Sequence, residues 1–598
     1  MLETDKLTVR TALVEPSSST STLPSMLTPS ELSEGGPDLT MRRRLHPVFS
    51  ELGEVDEASQ AEFAKDRTFE YQLFRRSNCL VEADEEPPHQ LNQEALKIVL
   101  QVALQLNARP ADEVHIMRKM VIDGSNTSGF QRTAIVAFSG HIDSSQGAVR
   151  IPLIAIEEES AGIVSAEGSK VTYRLDRLGI PLVEITTAPD IKDGTHLREV
   201  AEKLGMILRT TGKVARGLGT IRQDVNISTE GGARVEIKGA QDLKMLSEFV
   251  GNEVKRQDEL VKLLLELRKR KALPIEKNTV DATNTFHNTK APLLANGLKA
   301  GSMVLAQKLP QHKGVLGTTI QPGRRYGTEI SDYAKRAGVK GIIHSDEDLG
   351  KYGISEAEVT RLRRELDAGD KDAFVLIVAP KAQAETAMEY VLERANMDRV
   401  PEETRRANPD GTSSYMRPLP GKARLYPETD VPPIPITKEL LSTVESAESL
   451  DEKSKKLGKM LNPEMASRII KSRHLHLFEK LVDADANPML VATTLEETIV
   501  SLRREGVSFA ELEKTLLDLF SEYKKGMIVK AAFPEVLKGM AKGARAEAVI
   551  KVMRLQKITG PPLVKIAEEC DFDLKAIMQK YRLQVDPQEV SEIIKKKK

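Results

Sequence analysis

The 598-residue chain is too long for one hydrophobic core, and roughly three to five domains are expected. Apolar residues make up 40% and charged residues 29%, with no apolar run of transmembrane length and no basic start leading into an apolar stretch, so a membrane protein and an exported one are both disfavoured. The net charge of -1, the absence of Trp and an aromatic content of 4% exclude a bulk polycation and argue against base stacking as a main theme; any contact with nucleic acid must rest on local basic patches. Cys79 and Cys570 are too few for a disulfide framework or a zinc cluster, and a cytoplasmic protein without membrane contact is expected.

Residues 1–40 are crowded with Ser, Thr and Pro and carry no sustained apolar period, so they are read as disordered. Residues 94–107 then place Leu96, Val99, Leu100, Ala103 and Leu104 around most of a helix, which suits burial. Residues 114–120, 134–138 and 150–156 read as strands of one sheet. Residues 197–208 put Leu197, Val200, Ala201, Leu204, Ile207 and Leu208 on one helical stripe, with Gly212 suited to the carboxy-terminal cap.

Residues 221–228 alternate: Ile221, Val225 and Ile227 share one face, while Arg222, Asp224, Asn226 and Ser228 share the other. After the turn-like Thr229-Glu230-Gly231-Gly232, Val235 and Ile237 point one way and Arg234, Glu236 and Lys238 the other. A hairpin built this way presents a polar face of mixed charge, unless that face is simply solvated. Residues 273–410 mix short strands (302–305, 374–379) with amphipathic helices (330–337, 382–395) and read as a separate α+β insert. A Pro-rich stretch, 417–435, follows, and from Lys438 onward the chain reads as helical. The fold class expected is α+β and multidomain: a mixed-sheet domain with an α+β insert, then all-α helical and tail domains.

The glycines of Gly124-Ser-Asn-Thr-Ser-Gly129 have Walker-like spacing, but Phe130-Gln131 follows instead of Lys-Ser/Thr, so a P-loop is excluded. The segment still offers amides and hydroxyls in a flexible loop suited to phosphate oxygens. The apolar run 151–156 ends in Glu157-Glu158-Glu159, and residues 180–183 lead straight into Glu184. Carboxylates at the ends of apolar strands are costly to bury unless paired or bound to a cation, and Mg²⁺ accepts one or two of them. Basic clusters at 42–44, 268–271, 405–406 and 595–598 are surface candidates for RNA phosphates, each alone more simply a solvated patch. The ten histidines show no metal-ligand spacing.

Taken as whole phrases, CLVEADEEPPHQLNQEAL (79–96), MRKMVIDGSNTSGFQRT (117–133), YRLDRLGIPLVEI (173–185), GTIRQDVNIS (219–228), ARVEIKG (233–239) and ARLYPETDVPP (423–433) resemble one family. It is that of the E subunit of the archaeal glutamyl-tRNA(Gln) amidotransferases, a relative of the bacterial B subunit. The resemblance runs in order from about Met41 to the end. It implies a catalytic cradle over 41–272 and 411–436, and an insert at 273–410 like that of bacterial-type aspartyl-tRNA synthetases. A helical domain (437–525) and a YqeY-like tRNA-binding tail (526–598) would follow. It also implies ATP-dependent conversion of Glu-tRNA(Gln) to Gln-tRNA(Gln), with ATP and Mg²⁺ as cofactors. The partner would be an asparaginase-like, ammonia-donating D subunit, in a heterotetramer of two D and two E.

By position, Glu158 and Glu184 match the family's metal-binding carboxylates and, with Lys238, are the expected catalytic residues. Asp224, Asn226, Glu236 and Lys238 would line the ammonia route or nucleotide pocket. Arg118, Lys119, Ser128 and Gln131 are further candidates for ATP or the acceptor end of the tRNA. The family's opening Gly-Leu-Glu-Ile-His strand has no counterpart in residues 1–40, and Glu159-Ser160 replace its Asp-Ala. That departure implies an incomplete metal site and weak activity for the polypeptide as written, or a tRNA-binding scaffold. An aspartyl-tRNA synthetase relative, suggested by the insert alone, is set aside because nothing reads as a synthetase catalytic core.

Overall fold

The computed structural model describes residues 12–13, 36–47, 56–63, 65–75, 77–215, 219–419, 425–444, 450–472, 474–509 and 511–597. The Ser/Thr/Pro-rich stretch of residues 1–40 thus falls almost wholly outside the described residues. The chain divides into two compact units, Met1–Ser446 and Ala447–Lys598. As expected, mixed α/β architecture gives way to a helical carboxy-terminal region.

The first unit is organised by a seven-stranded sheet. Its central strands are β1 (Ile116–Met120), β2 (Phe130–Ser144), β3 (Gly147–Glu158) and β4 (Pro181–Thr186), each antiparallel to the next in the order β4-β3-β2-β1. Ala12–Leu13 adds to β4 at one edge. Two helices complete the core. The first, α1 (Gln93–Gln105), starts where the Asn92 side chain accepts hydrogen bonds from the amides of Glu94 and Ala95. A capping side chain of this kind satisfies donors that helix geometry leaves unpaired. The second, α2 (Gly194–Thr210), is capped by Asp193 and is followed by Gly212 at φ +70°. Leu96, Val99 and Leu100 of α1 and Leu197, Val200 and Leu204 of α2 join Ile154, Ile156, Val183 and Ile185 of the sheet in one core.

The expected hairpin forms, though its first strand is shorter than the alternation suggests: β5 (Val225–Ile227) pairs with β6 (Val235–Lys238). Val225, Ile227, Val235 and Ile237 enter the same core. The turn is held by α3 (Leu246–Lys269), a 24-residue helix whose charged circumference hides it from periodicity. Gln257 of α3 accepts hydrogen bonds from the Thr229 hydroxyl (3.0 Å) and the Ala233 amide (3.1 Å). A side chain on Gly232 would lie 2.1 Å from that same Gln257 oxygen, so only glycine allows the approach. At its start α3 gives Leu246, Phe249 and Val250 to the main core; at its end Leu260, Leu263, Leu264 and Leu267 belong to the core of the insert.

The insert has its own four-stranded sheet, with Met303–Leu309 and Ala373–Ala379 at its centre. Its end differs from the sequence reading. Strand β7 (Glu403–Ala407) runs parallel to β6, and β8 (Ser413–Pro418) pairs with β7. Residues 403–407 therefore belong to the hairpin's sheet rather than to the insert.

Arg405 corrects the surface-patch expectation for 405–406. Alternation along β7 leaves Arg406 exposed but buries Arg405 completely. Arg405 pairs with Glu329 (2.6 Å) and Glu403, and Arg256 of α3 pairs with Glu253 (2.9 Å) and Glu329 (3.1 Å). All five side chains are 0–1% exposed. Arg394, 1% exposed and 3.8 Å from Glu329, brings the cluster to three arginines and three glutamates, and such a cluster is tolerable because its opposite charges balance.

The second unit is helical, from Leu450–Met460 to Pro587–Lys597. It has a main core around Phe478, Leu495, Leu519 and Val536 and a smaller one around Leu563, Ile577 and Val590. No helix among the described residues is long and apolar enough to cross a membrane.

Candidate active site

Cross-strand register decides which acidic residues meet. Glu158 lies opposite Pro181 and Glu184 opposite Ala155, with no break in register between β3 and β4. Residues directly opposite share a face, and successive residues along a strand alternate. Glu158 therefore continues the face of Ile154 and Ile156, whereas Glu184 shares the other face with Ala155 and Glu157. The expectation that Glu158 and Glu184 converge on one ion is corrected by this register: they project from opposite sides of the sheet.

Contacts on each side agree with that assignment. On the first face, Arg132 lies 3.4 Å from the Glu158 carboxylate and donates its backbone amide to it at 3.3 Å. Burial here pushes the Glu158 carboxyl above its ordinary range, against the pull of Arg132. Arg118 lies beside Arg132 in register and forms a two-pronged ion pair with Glu428 at 2.6 and 2.9 Å, with Asp430 at 3.3 Å. Its charge ties β1 to the returning strand β9 (Leu425–Pro427) and the loop that follows it.

The second face collects Lys119, Gln131, Thr133, Glu157 and Glu184. Lys119 pairs with Glu157, and Gln131 donates its side-chain amide to the Glu158 carbonyl at 2.6 Å. Glu157 and Glu184 are 7% and 4% exposed, which places two carboxylates and a lysine in one shielded patch. Glu157 is the residue the sequence reading passed over. Its signal was the run of three glutamates, whose phase only the pairing with β4 fixes.

Glu159, the departure from the family's Asp, is buried and held by Arg177 (3.1 Å) and Arg222. Arg222 precedes the hairpin, so this pair fastens the hairpin's entry to the tip of β3. Ser160, the other departure, accepts a hydrogen bond from the Asn126 amide at 3.3 Å.

On the hairpin, the structure brings the four expected residues together. Asn226 lies opposite Glu236, and Lys238 donates to Asp224 at 2.6 Å and lies 3.3 Å from Glu236. Thr404 of β7 donates its hydroxyl to Glu236 at 3.1 Å. A lysine among carboxylates, backed by a neighbouring strand, suits the holding of a small cation or the passing of protons.

Ser128 is not brought to either set, and the loop that carries it differs from expectation. Tyr71 and Tyr173 donate their hydroxyls to the Gly124 and Asp123 carbonyls at 2.8 and 2.9 Å, and Thr127 donates to the Glu82 carbonyl at 2.8 Å. Ser128 is engaged with the backbone of Phe130. Gly124 sits so close to Phe69 that a Cβ would fall 2.2 Å from the ring. Its hydroxyls and carbonyls are largely spent on packing, so the segment is a fastened turn rather than a flexible phosphate cradle.

The described residues contain no cluster of three or more His, Cys, Asp or Glu side chains able to hold a metal ion. The two carboxylates that share a buried face of this sheet are Glu157 and Glu184, and Mg²⁺ is an ion that accepts one or two carboxylates.

Comparison with known proteins bears on the same elements. The GatB/GatE catalytic domain family matches residues 63–442, a span that includes the sheet, the hairpin and α3. The glutamyl-tRNA(Gln) amidotransferase E subunit of Pyrococcus furiosus is 46% identical over 553 residues, covering 90% of this chain and 87% of that protein. The E subunit of Methanocaldococcus jannaschii is 45% identical, covering 90% and 88%, and that of Methanosarcina barkeri is 45% identical, covering 94% and 85%. Sheet, hairpin and polar faces thus lie inside one continuous match, and the chain belongs to the GatB/GatE family.

Proposed function

We propose that this chain is the transamidase subunit that converts Glu-tRNA(Gln) to Gln-tRNA(Gln) in an ATP-dependent reaction. What supports this reading is a likeness to the archaeal E subunits over about 90% of the chain, together with a buried sheet face that carries Glu184 and the Glu157–Lys119 ion pair.

The chemistry sets the demands on these residues. A carboxylate cannot be amidated directly, because ammonia does not displace oxide. The side-chain carboxylate of the tRNA-bound glutamate attacks the γ-phosphorus of ATP, and ADP leaves. The resulting acyl phosphate is attacked at its carbonyl carbon by ammonia, and phosphate departs with one former carboxylate oxygen. Mg²⁺ held by Glu157 and Glu184 would supply charge neutralisation on the phosphates. Lys119 offsets the negative charge of Glu157 and orients it. Asp224, Asn226, Glu236 and Lys238 form a polar lane suited to guiding ammonia and taking up its proton. An acyl phosphate has to be kept from bulk water, which would otherwise hydrolyse it.

Ammonia would come from an asparaginase-like D subunit in an assembly of two D and two E. The insert at 273–402, the helical domain (437–525) and the tail (526–598) would hold the tRNA. The test uses the purified chain with tRNA(Gln) carrying labelled glutamate, ATP and ammonium chloride. Labelled glutamine on the tRNA, formed only with ATP, is the expected result; glutamate that persists with ATP and ammonium present would refute the reading.

A further inference from the structure

Strand β7 carries different chemistry on its two faces. Glu403 and Arg405 enter the buried ion cluster, where Arg405 pairs with Glu329 at 2.6 Å and Tyr333 donates its hydroxyl to Glu403 at 2.8 Å. Thr404, between them, takes the other face and lies directly opposite Glu236 of β6. Asn226 of β5 lies opposite Glu236 in turn. Asn226, Glu236 and Thr404 therefore form one row across three strands, beside Lys238 and Asp224.

The geometry grips the Glu236 carboxylate at both oxygens. The Thr404 hydroxyl donates to Oε2 at 3.1 Å, while the Lys238 Nζ lies 3.3 Å from Oε1 and donates to Asp224 at 2.6 Å. Thr404 is fully buried and Glu236 nearly so, whereas Asp224, Asn226 and Lys238 are half-buried. The grip is firm on the Thr404 side. A β-branched side chain on a strand has few rotamers. Strand β7 also pairs along both edges, with β6 and β8, and the ion cluster holds the residues on either side of Thr404. Hydrogen bonds to a carboxylate are among the stronger ones, and removing this one lets the carboxylate turn towards Lys238.

We infer that Thr404 is a positioning residue for amidation: its hydroxyl fixes the Glu236 carboxylate, and through it the Lys238 ammonium, along the lane that ammonia takes. This rests on the polar-lane reading above and extends the lane to a strand that the ion cluster of the insert holds in place. Thr404 acts through Glu236, so its role concerns the delivery of ammonia and not the phosphorylation of the glutamate.

The test compares the unchanged full-length chain with Thr404→Val and Thr404→Ala, which remove the donor, and Thr404→Ser, which keeps it. Thermal midpoints check that each variant is folded. With glutamyl-tRNA(Gln) and ATP saturating, kcat/KM for ammonium is measured from the glutamine formed. ADP release is measured separately, with glutamyl-tRNA(Gln) and ATP but no ammonium. Thr404→Val and Thr404→Ala are expected to lower kcat/KM for ammonium about ten-fold and to leave ADP release unchanged. Thr404→Ser is expected to stay within about two-fold of the unchanged chain in both. Folded Thr404→Val and Thr404→Ala proteins with an unaltered kcat/KM would overturn the role of the hydroxyl while leaving the amidation reading intact. A folded Thr404→Ser protein as impaired as Thr404→Val would do the same. Equal losses of ADP release and amidation in Thr404→Val would overturn the assignment to ammonia delivery. An unchanged chain that forms no glutamine would overturn both readings.

Discussion

Glu158 and Glu184 project from opposite faces of one sheet, because Glu158 lies opposite Pro181 and Glu184 opposite Ala155 in an unbroken register. The carboxylate that shares the Glu184 face is Glu157, ion-paired with Lys119. This separates three adjacent glutamates into different tasks: Glu157 beside Glu184, Glu158 against Arg132, and Glu159 between Arg177 and Arg222.

The kinetics should reflect that division. Glu157→Gln and Glu184→Gln are each expected to lower the rate of Gln-tRNA formation roughly 100-fold or more, the scale seen when a group acting on transition-state charge is removed. Glu158→Gln is expected to cost far less, under about ten-fold. Turnover measured with ammonium chloride as nitrogen donor compares the three. A Glu158→Gln loss as large as that of Glu184→Gln would contradict the assignment by face.

Glu158 should also leave a mark on stability against pH. Its carboxyl sits above the ordinary value of 4.5 because burial disfavours the charged form. Between 4.5 and the raised value the folded chain keeps a proton that the unfolded chain has released, so stability falls as pH rises through that window. Glu158→Gln removes this contribution. Compared with the variant, the unchanged chain is expected to lose thermal midpoint as pH rises through that window; a difference between the two that does not change with pH would argue against a desolvated Glu158.

The buried ion cluster gives a larger effect. Arg405→Met leaves Glu329 and Glu403 in the interior without their main partner, and breaking a fully buried pair from one side costs about 3–5 kcal/mol. A midpoint near that of the unchanged protein would show that water or rearrangement relieves the charge. The exposed neighbour makes the control: Arg406→Met is expected to change stability by under about 0.5 kcal/mol.

Arg118 was expected to touch ATP or the acceptor end, yet its guanidinium is engaged by Glu428 and Asp430. Arg118→Met is therefore expected to loosen the segment around β9, at a cost of about 2 kcal/mol. Faster amide exchange at Glu428, whose N–H donates to the Ile116 carbonyl at 2.9 Å, is the readout. Unchanged exchange with impaired ATP use would return Arg118 to the nucleotide.

Much of this fold was legible because periodicity is strict where one face is buried. The helices at α1 and α2 and the hairpin face of Asp224, Asn226, Glu236 and Lys238 follow directly from spacing. The phase of the glutamates was not legible, because residues 154–157 are buried on both faces and such a run carries no alternation to read. Arg405 escaped for a related reason: its partner Glu329 lies 76 residues away in sequence, so an adjacent pair of arginines looks like a surface patch. Likewise α3 hides its apolar stripe among charges, some of which, Glu253 and Arg256, are themselves buried. The loop at 124–129 was misjudged because its fastening comes from Tyr71 and Tyr173, on strands of another sheet.

The central claim is that amidation proceeds through a phosphorylated glutamate, and oxygen tracing tests it most directly. Glutamyl-tRNA(Gln) carrying ¹⁸O in its side-chain carboxylate is turned over with ATP and ammonium in ordinary water. One labelled oxygen in the inorganic phosphate for each glutamine formed is the expected result. Glutamine formed alongside unlabelled phosphate would mean that ATP is hydrolysed apart from the glutamate, and would contradict the account.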